Sequence, residues 1–179
     1  MKKLRGGGAL PPKATMIQML KGLLGGFLGI LVLSLLGQST GVPWLMAPFG
    51  ATCVLLFAAP TSPLAQPRNV IAGHLITSTV GLCALYGLGG SMIVMSLAVG
   101  VSIMLMQCFR AVHPPAGANP VVIVLAGQSA VGFDFLLTPV LIGSITLVVI
   151  ASVINNYGKQ NNWPVYWHGF GQQKGQKNA

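Results

Sequence analysis

Ala111-Val112-His113-Pro114-Pro115-Ala116-Gly117-Ala118-Asn119 is the stretch on which the fold turns. Its surroundings are apolar, yet two adjacent prolines forbid an uninterrupted helix. Proline has no N–H to donate, and it pushes the residue before it into extended backbone. An earlier copy, Trp44-Leu45-Met46-Ala47-Pro48-Phe49-Gly50-Ala51-Thr52, lies 67 positions upstream, with Pro48 matching Pro115. Irregular backbone survives in hydrocarbon only when it is buried in protein or lines a polar cavity. A broken segment that occurs twice in one membrane chain points to a transport site.

Composition sets the solvent. The 179 residues are 53% hydrophobic and 6% charged, against about 25% charged in a soluble domain. Ten Lys and Arg face a single acid, Asp134. Lys2, Lys3, Arg5, Lys13 and Lys21 precede or open the first apolar segment, and Lys159, Lys174 and Lys177 follow the last. Such flanks read as anchors for anionic lipid headgroups at the cytoplasmic face, not as a nucleic-acid surface. Cys53, Cys83 and Cys108 lie in apolar segments without metal-ligand or disulfide spacing, which predicts no metal and no cofactor. No nucleotide-binding, nucleophile-elbow or zinc-protease motif is present, so an enzyme is not expected. The run Ile17–Leu36 is of spanning length rather than a short signal-peptide core, and a bacterial inner membrane is the expected location.

Apolar segments fall at Ile17–Leu36, Trp44–Ala59, Asn69–Leu88, Ser91–Phe109, Pro114–Gln128 and Phe135–Asn155. The expected fold is an all-α integral membrane protein, an inverted repeat of three segments each (3+3). The middle segment of each repeat is a Pro-broken half-helix. Residues 1–16 form a basic cytoplasmic tail and 17–157 the single transmembrane domain. Repeat 1 covers about 17–89 and repeat 2 about 91–157; residues 158–179 form a polar cytoplasmic tail. If all six segments cross, Arg68, Arg110 and both tails share one side. An odd number of crossings per repeat then inverts the halves. The competing arrangement has re-entrant short segments, four full crossings, and Arg68 and Arg110 outside; the charge rule disfavours it.

Phe49–Ala59 makes about 16 Å of helix at 1.5 Å per residue, half of a roughly 30 Å hydrocarbon core. In the inverted arrangement both half-helices start near the midplane and their N-termini face one another. Each carries about half a positive elementary charge and free N–H donors, which favour an anion. Phe49, Gly50, Ala51 and Thr52, with their counterparts Ala116, Gly117, Ala118 and Asn119, are the expected binding residues. Pro48, Pro114 and Pro115 shape the break. His74, His113 and Thr77 add polar groups at depth, and any proton coupling would rest on the two histidines. Arg68 and Arg110 are candidates for an anion funnel. Overlapping glycine pairs Gly22/Gly26 and Gly25/Gly29, the stripe Gly73, Thr77, Gly81, and Ser96/Gly100 predict close helix packing inside the chain, with a homo-oligomer as the other use. Trp163, Tyr166, Trp167 and Phe170 are expected at the interface.

His113-Pro114-Pro115 followed by Ala116-Gly117-Ala118, together with Pro48-Phe49-Gly50-Ala51-Thr52, resembles the signature of the HPP family of integral membrane proteins. The resemblance extends over most of Ile17–Asn155. Members in cyanobacteria and chloroplasts are described as nitrite transporters, so the resemblance implies a small monovalent anion as substrate. Families of this kind are often drawn with four membrane helices, which agrees with the re-entrant arrangement. Two other functions fit the sequence: a non-transporting subunit binding partner helices, and a pore for water or neutral solutes.

Overall fold

The computed structural model describes residues 10–158 and 162–167. The basic residues Lys2, Lys3, Arg5, Lys159, Lys174 and Lys177, with Phe170, lie outside the described residues. The described chain is all-helical, and its surface is apolar where a soluble protein would be polar. Leu23, Phe27, Val54, Met92, Ile93 and Leu125 are all more than half exposed. An apolar exterior around a core holding the polar side chains is the arrangement expected in lipid.

Helix α1 is Met16–Thr40. Thr15 and Gln18 start it with a capping box: Thr15 Oγ1 accepts from the Gln18 amide, and the Thr15 amide donates to Gln18 Oε1 at 2.8 Å. Gly41, at φ 70°, ends it in the left-handed conformation. Helix α2, Ala47–Ala58, has Pro48 in its first turn, where a missing N–H does no harm. Helix α3, Pro67–Leu88, also opens on proline. Helix α4, Met92–Cys108, is capped by Ser91. The second broken segment is a 3-10 turn, Pro114–Ala118, followed by helix α5, Asn119–Ala126. The half-helix expected within Pro114–Gln128 is therefore corrected to a shorter helix behind a tight turn. Pro120 and the Pro114-Pro115 pair both withhold N–H groups there. Helix α6, Gly143–Asn156, follows a 3-10 turn at Phe133–Leu136 and a π turn at Leu137–Ile142 around Pro139.

Three helical stretches are long and apolar enough to cross a membrane: Met16–Thr40, Pro67–Leu88 and Phe133–Asn156. Shorter apolar stretches are Ala47–Ala58, Met92–Cys108 and Pro114–Ala126. Contacts give their directions. Along α1, Gly37 lies against Trp44, Gly29 against Cys53 and Gly25 against Phe57, so α2 runs back along α1. Gly29 also meets Leu147, and Lys21 Nζ donates to the Asn155 carbonyl at 3.0 Å, so α6 is likewise antiparallel to α1. The second broken segment runs with α3. Arg68 donates to the Phe109 carbonyl and Asn69 to that of Val112, both at 2.9 Å. Gly81 abuts Pro120, and Gln128 donates to the Leu85 carbonyl.

The glycine stripes divide by face. Gly25, Gly29, Gly73 and Gly81 each touch a neighbouring element, whereas Gly22, Gly26 and Gly100 have open space where a Cβ would stand. Cys53 is buried, but Cys83 and Cys108 are exposed. Trp163, expected at the interface, is instead 4% exposed and packs into the main core with Leu56, Phe57 and Val70. It belongs to a strap, residues 162–167, laid across the end of the bundle where α3 begins. Val165 N–H donates to Gln66 Oε1, and the Tyr166 hydroxyl sits 2.7 Å from the Pro63 carbonyl.

Candidate functional site

Four polar side chains close on one another in the middle of the bundle. Thr52 and Asn119 occupy equivalent positions in the two copies of the motif, 67 residues apart. The fold puts them on opposite sides of one ring, that of His74. Thr52 Oγ1 is 2.8 Å from His74 Nε2, and Asn119 Nδ2 is 3.0 Å from His74 Nδ1. Thr52 Oγ1 is also 2.9 Å from His113 Nε2. His113 Nδ1 is 2.8 Å from the Leu64 carbonyl, and Asn119 Nδ2 is 2.8 Å from Ser78 Oγ. His74, His113 and Thr52 are 0% exposed and Asn119 is 1% exposed.

Local sequence explains the meeting. Proline in the first turn of α2 places Thr52 one turn further in, on the face toward α3. Gly73 lets the second segment come close: a Cβ there would stand 2.8 Å from that of His113. His74, the next residue, then lies against the start of α5. The first turns of both broken helices thus converge on a residue whose own repeat counterpart, Leu141, is apolar.

The bonds fix the tautomers. A carbonyl only accepts, so His113 holds its proton on Nδ1 for Leu64, and its Nε2 accepts. The Thr52 hydroxyl donates to that nitrogen and accepts from His74 Nε2–H. His74 Nδ1 is left as the acceptor for the Asn119 amide. Each ring nitrogen and the Thr52 hydroxyl has a partner, which removes the several kcal/mol that such groups cost unpaired in an apolar medium. Phe49 seals one side with its ring edge-on to His74, at a centroid distance of 5.0 Å.

The remaining expected site residues divide. Ala116 is buried behind His113, against Gly73. Thr77 is buried but donates to the His74 carbonyl of its own helix, and the serine next to it, Ser78, reaches Asn119 instead. Gly50, Ala51, Gly117 and Ala118 face away from the polar row, Gly117 half-buried and the others exposed. Ala51 and Ala118, with Ala47, Pro48, Val54 and Pro115, line a groove of about 550 Å³ that opens on the outer surface. Each copy of the motif therefore turns one residue to the groove and the next to the polar row. The backbone donors expected for an anion are mostly engaged: Phe49 N–H on the Met46 carbonyl, Ala116 N–H on that of His113, and Asn119 N–H on that of Ala116. Pro48, Pro114, Pro115 and Pro120 have none, so the donors available at the break are chiefly side chains.

Arg68 ties the start of α3 to the end of α4 through Phe109. Arg110 is exposed, with φ 53°, and this left-handed residue turns the chain from α4 into the extended stretch before His113. Both guanidinium groups act on the Tyr166 hydroxyl, whose pKa burial raises and the two arginines lower. Sequence reasoning singled out Thr52, His74, His113 and Asn119. It named Thr77 and left out Ser78, although Ser78 stands four residues after His74 and so shares its helical face. The Leu64 carbonyl, in a turn, left no signal in the sequence.

Comparison with known proteins agrees with the fold. The sequence pattern described as HPP, transmembrane region, matches residues 11–164. Two proteins of Dictyostelium discoideum, both called transmembrane proteins, are each 37% identical to the chain, over 175 and 153 residues. The alignments cover 93% and 80% of this chain but 56% and 54% of the relatives, so the chain spans about half their length. No solved structure matches it.

Proposed function

The chain belongs to the HPP transmembrane family, and we propose that it carries a small monovalent anion, nitrite foremost, across a membrane at its paired broken segments. The observation that carries this reading is the row His113–Thr52–His74–Asn119, buried at the centre of an apolar bundle and drawn from both copies of the motif. Intramembrane polar residues are expensive and mark solute paths. All four donate hydrogen bonds, none is anionic, and the described bundle interior holds no carboxylate. An anion arriving between the two segments would meet N–H and O–H donors from each of the four side chains and no carboxylate.

The proposed topology is six crossings in two inverted triplets, α1–α3 and α4–α6. In support, α1 packs on α2 and α6 while α4 packs on α5 and α3, which is the pairing a two-fold relation demands. Both termini lie on the basic, cytoplasmic side, in a bacterial inner membrane. The groove beside the row is the proposed path. Its wall includes the 3-10 turn at Pro114–Ala118, and non-helical backbone does not face lipid at membrane depth. A second copy of the chain closing the groove's open side would shield that turn, so the working unit is a homo-oligomer. No covalent chemistry or cofactor enters the reading, and anionic headgroups meet the basic tails.

Thiol accessibility tests the path. Cys83 and Cys108 are first changed to serine; then Ala51→Cys or Ala118→Cys is introduced and treated with a charged, membrane-impermeant thiol reagent. The reading predicts modification that slows as nitrite is added. Resistance to the reagent at both positions would place the groove against lipid and contradict it.

A further inference from the structure

We propose that His74, Thr52 and His113 form a proton wire, so that the site moves a proton together with each anion; this rests on the anion reading above. The geometry is a continuous row of four hydrogen bonds. It runs from Asn119 through His74 Nδ1 and Nε2, Thr52 Oγ1, and His113 Nε2 and Nδ1 to the Leu64 carbonyl. Each imidazole can take a proton on one nitrogen and release one from the other. A hydroxyl can accept and donate at once. No other side chain in the described bundle interior has those properties in sequence.

One transfer balances as follows. A proton delivered by a hydronium ion reaches His74 Nδ1, and the Asn119 amide turns its oxygen, 3.3 Å away, to accept from the new N–H. His74 passes its Nε2 proton to Thr52, and Thr52 passes its own hydroxyl proton to His113 Nε2. His113 then releases its Nδ1 proton to solvent water at the Leu64 end, the carbonyl itself only accepting a hydrogen bond. One proton has joined and one has left, with both rings neutral and their tautomers exchanged. The Pro48 carbonyl, 3.1 Å from Thr52 Oγ1, offers the hydroxyl an alternative acceptor, and with the hydroxyl turned there the wire is open-circuit. The ring centroids are 5.1 Å apart, and two cations at that spacing repel, so the pair takes one excess proton at a time.

The charged and titratable surroundings leave the wire alone with its proton. On α2, Cys53 faces Gly29 of α1, away from the row. Arg68 and Arg110 stand at the Leu64 end with Tyr166; Lys21 of α1 is bonded to Asn155. Helix α4 contributes only the exposed Cys108. No titratable residue lies in α5 or in Gly143–Asn156, and Asp134 sits in the turn beyond α5.

The test compares wild type, Thr52→Val and Thr52→Ser in proteoliposomes, reading the initial rate of nitrite uptake with and without an inward proton gradient at zero potential. Leakage of neutral nitrous acid through lipid is common to all three and cancels. A several-fold acceleration by the gradient, abolished in Thr52→Val and retained in Thr52→Ser, is expected. Uptake that ignores the gradient, or an acceleration surviving in Thr52→Val, would overturn the wire and leave the anion reading standing. If no variant takes up nitrite, the anion reading fails. Proton flux driven by a potassium diffusion potential then decides the wire: flux lost in Thr52→Val and kept in Thr52→Ser supports it, and no flux in wild type overturns it. A structural readout stands beside these. With His168→Gln leaving two histidines, 15N spectra of lipid-reconstituted protein should show the two rings protonated on opposite nitrogens, His113 at Nδ1 and His74 at Nε2 or the exchanged pair; the same nitrogen protonated in both rings would refute the row.

Discussion

Thr52 and Asn119 show how a repeat becomes a site. They are the same position of one sequence motif, and the fold brings them face to face across His74, whose counterpart at the same offset, Leu141, is apolar. Removing either leaves a ring nitrogen of His74 unpaired in a dry interior, at a cost of about 1–3 kcal/mol. Asn119→Ala and His113→Ala should each cut nitrite flux sharply while the protein still purifies folded, because several polar bonds of the row remain. Unchanged flux in both would remove the row from the transport path. Much of this site was legible: broken segments, matching offsets and two deep histidines singled out four of its members. The Leu64 carbonyl was not, because a backbone acceptor in a turn carries no side-chain signature. Nor was the engagement of the Phe49, Ala116 and Asn119 amides, since 3-10 and turn bonding depends on how far the chain tightens after proline.

Helix faces decide which glycines matter. At Gly81 a Cβ would stand 2.9 Å from the Pro120 Cα, a backbone atom that cannot yield without shifting α5. Gly81→Ala should therefore destabilise the bundle by about 1–3 kcal/mol, the usual range for overpacking. Gly22→Ala should be neutral or slightly stabilising, since nothing lies within 4 Å and alanine is the better helix former. Thermal unfolding in detergent checks both; equal effects would contradict the assignment of faces. The sequence announced every helix, but small-x-x-x-small spacing does not say which of two overlapping stripes points inward. The π turn at Leu137–Ile142 was also hidden, because Pro139 within an apolar run is compatible with a kink of any kind.

At the scale of the molecule, the strap 162–167 ties the segment after α6 to the start of α3. The Tyr166 hydroxyl donates to the Pro63 carbonyl or to Asn69 Oδ1, 2.7 and 2.8 Å away. Burial raises its pKa above the ordinary 10.0, so the protonated form is favoured in the folded chain. The strap's contribution is complete below pH 10.0 and is lost as pH climbs through the raised value. Fluorescence of the buried Trp163 should report an alkaline transition that Tyr166→Phe removes; a transition that persists in that variant would assign it elsewhere. Basic flanks and hydropathy revealed the membrane class, the segment count and the broken pair. They did not reveal that Trp163 is buried, because an aromatic tail after the last helix has the same composition whether it rests on lipid or packs on protein.

If the paired broken segments pass a small anion, proteoliposomes of the purified chain will take up nitrite. Influx should be saturable, exceed that of empty vesicles, and fall in Asn119→Ala. Influx no greater than that of empty vesicles, with folded protein verified in the same preparation, would contradict it.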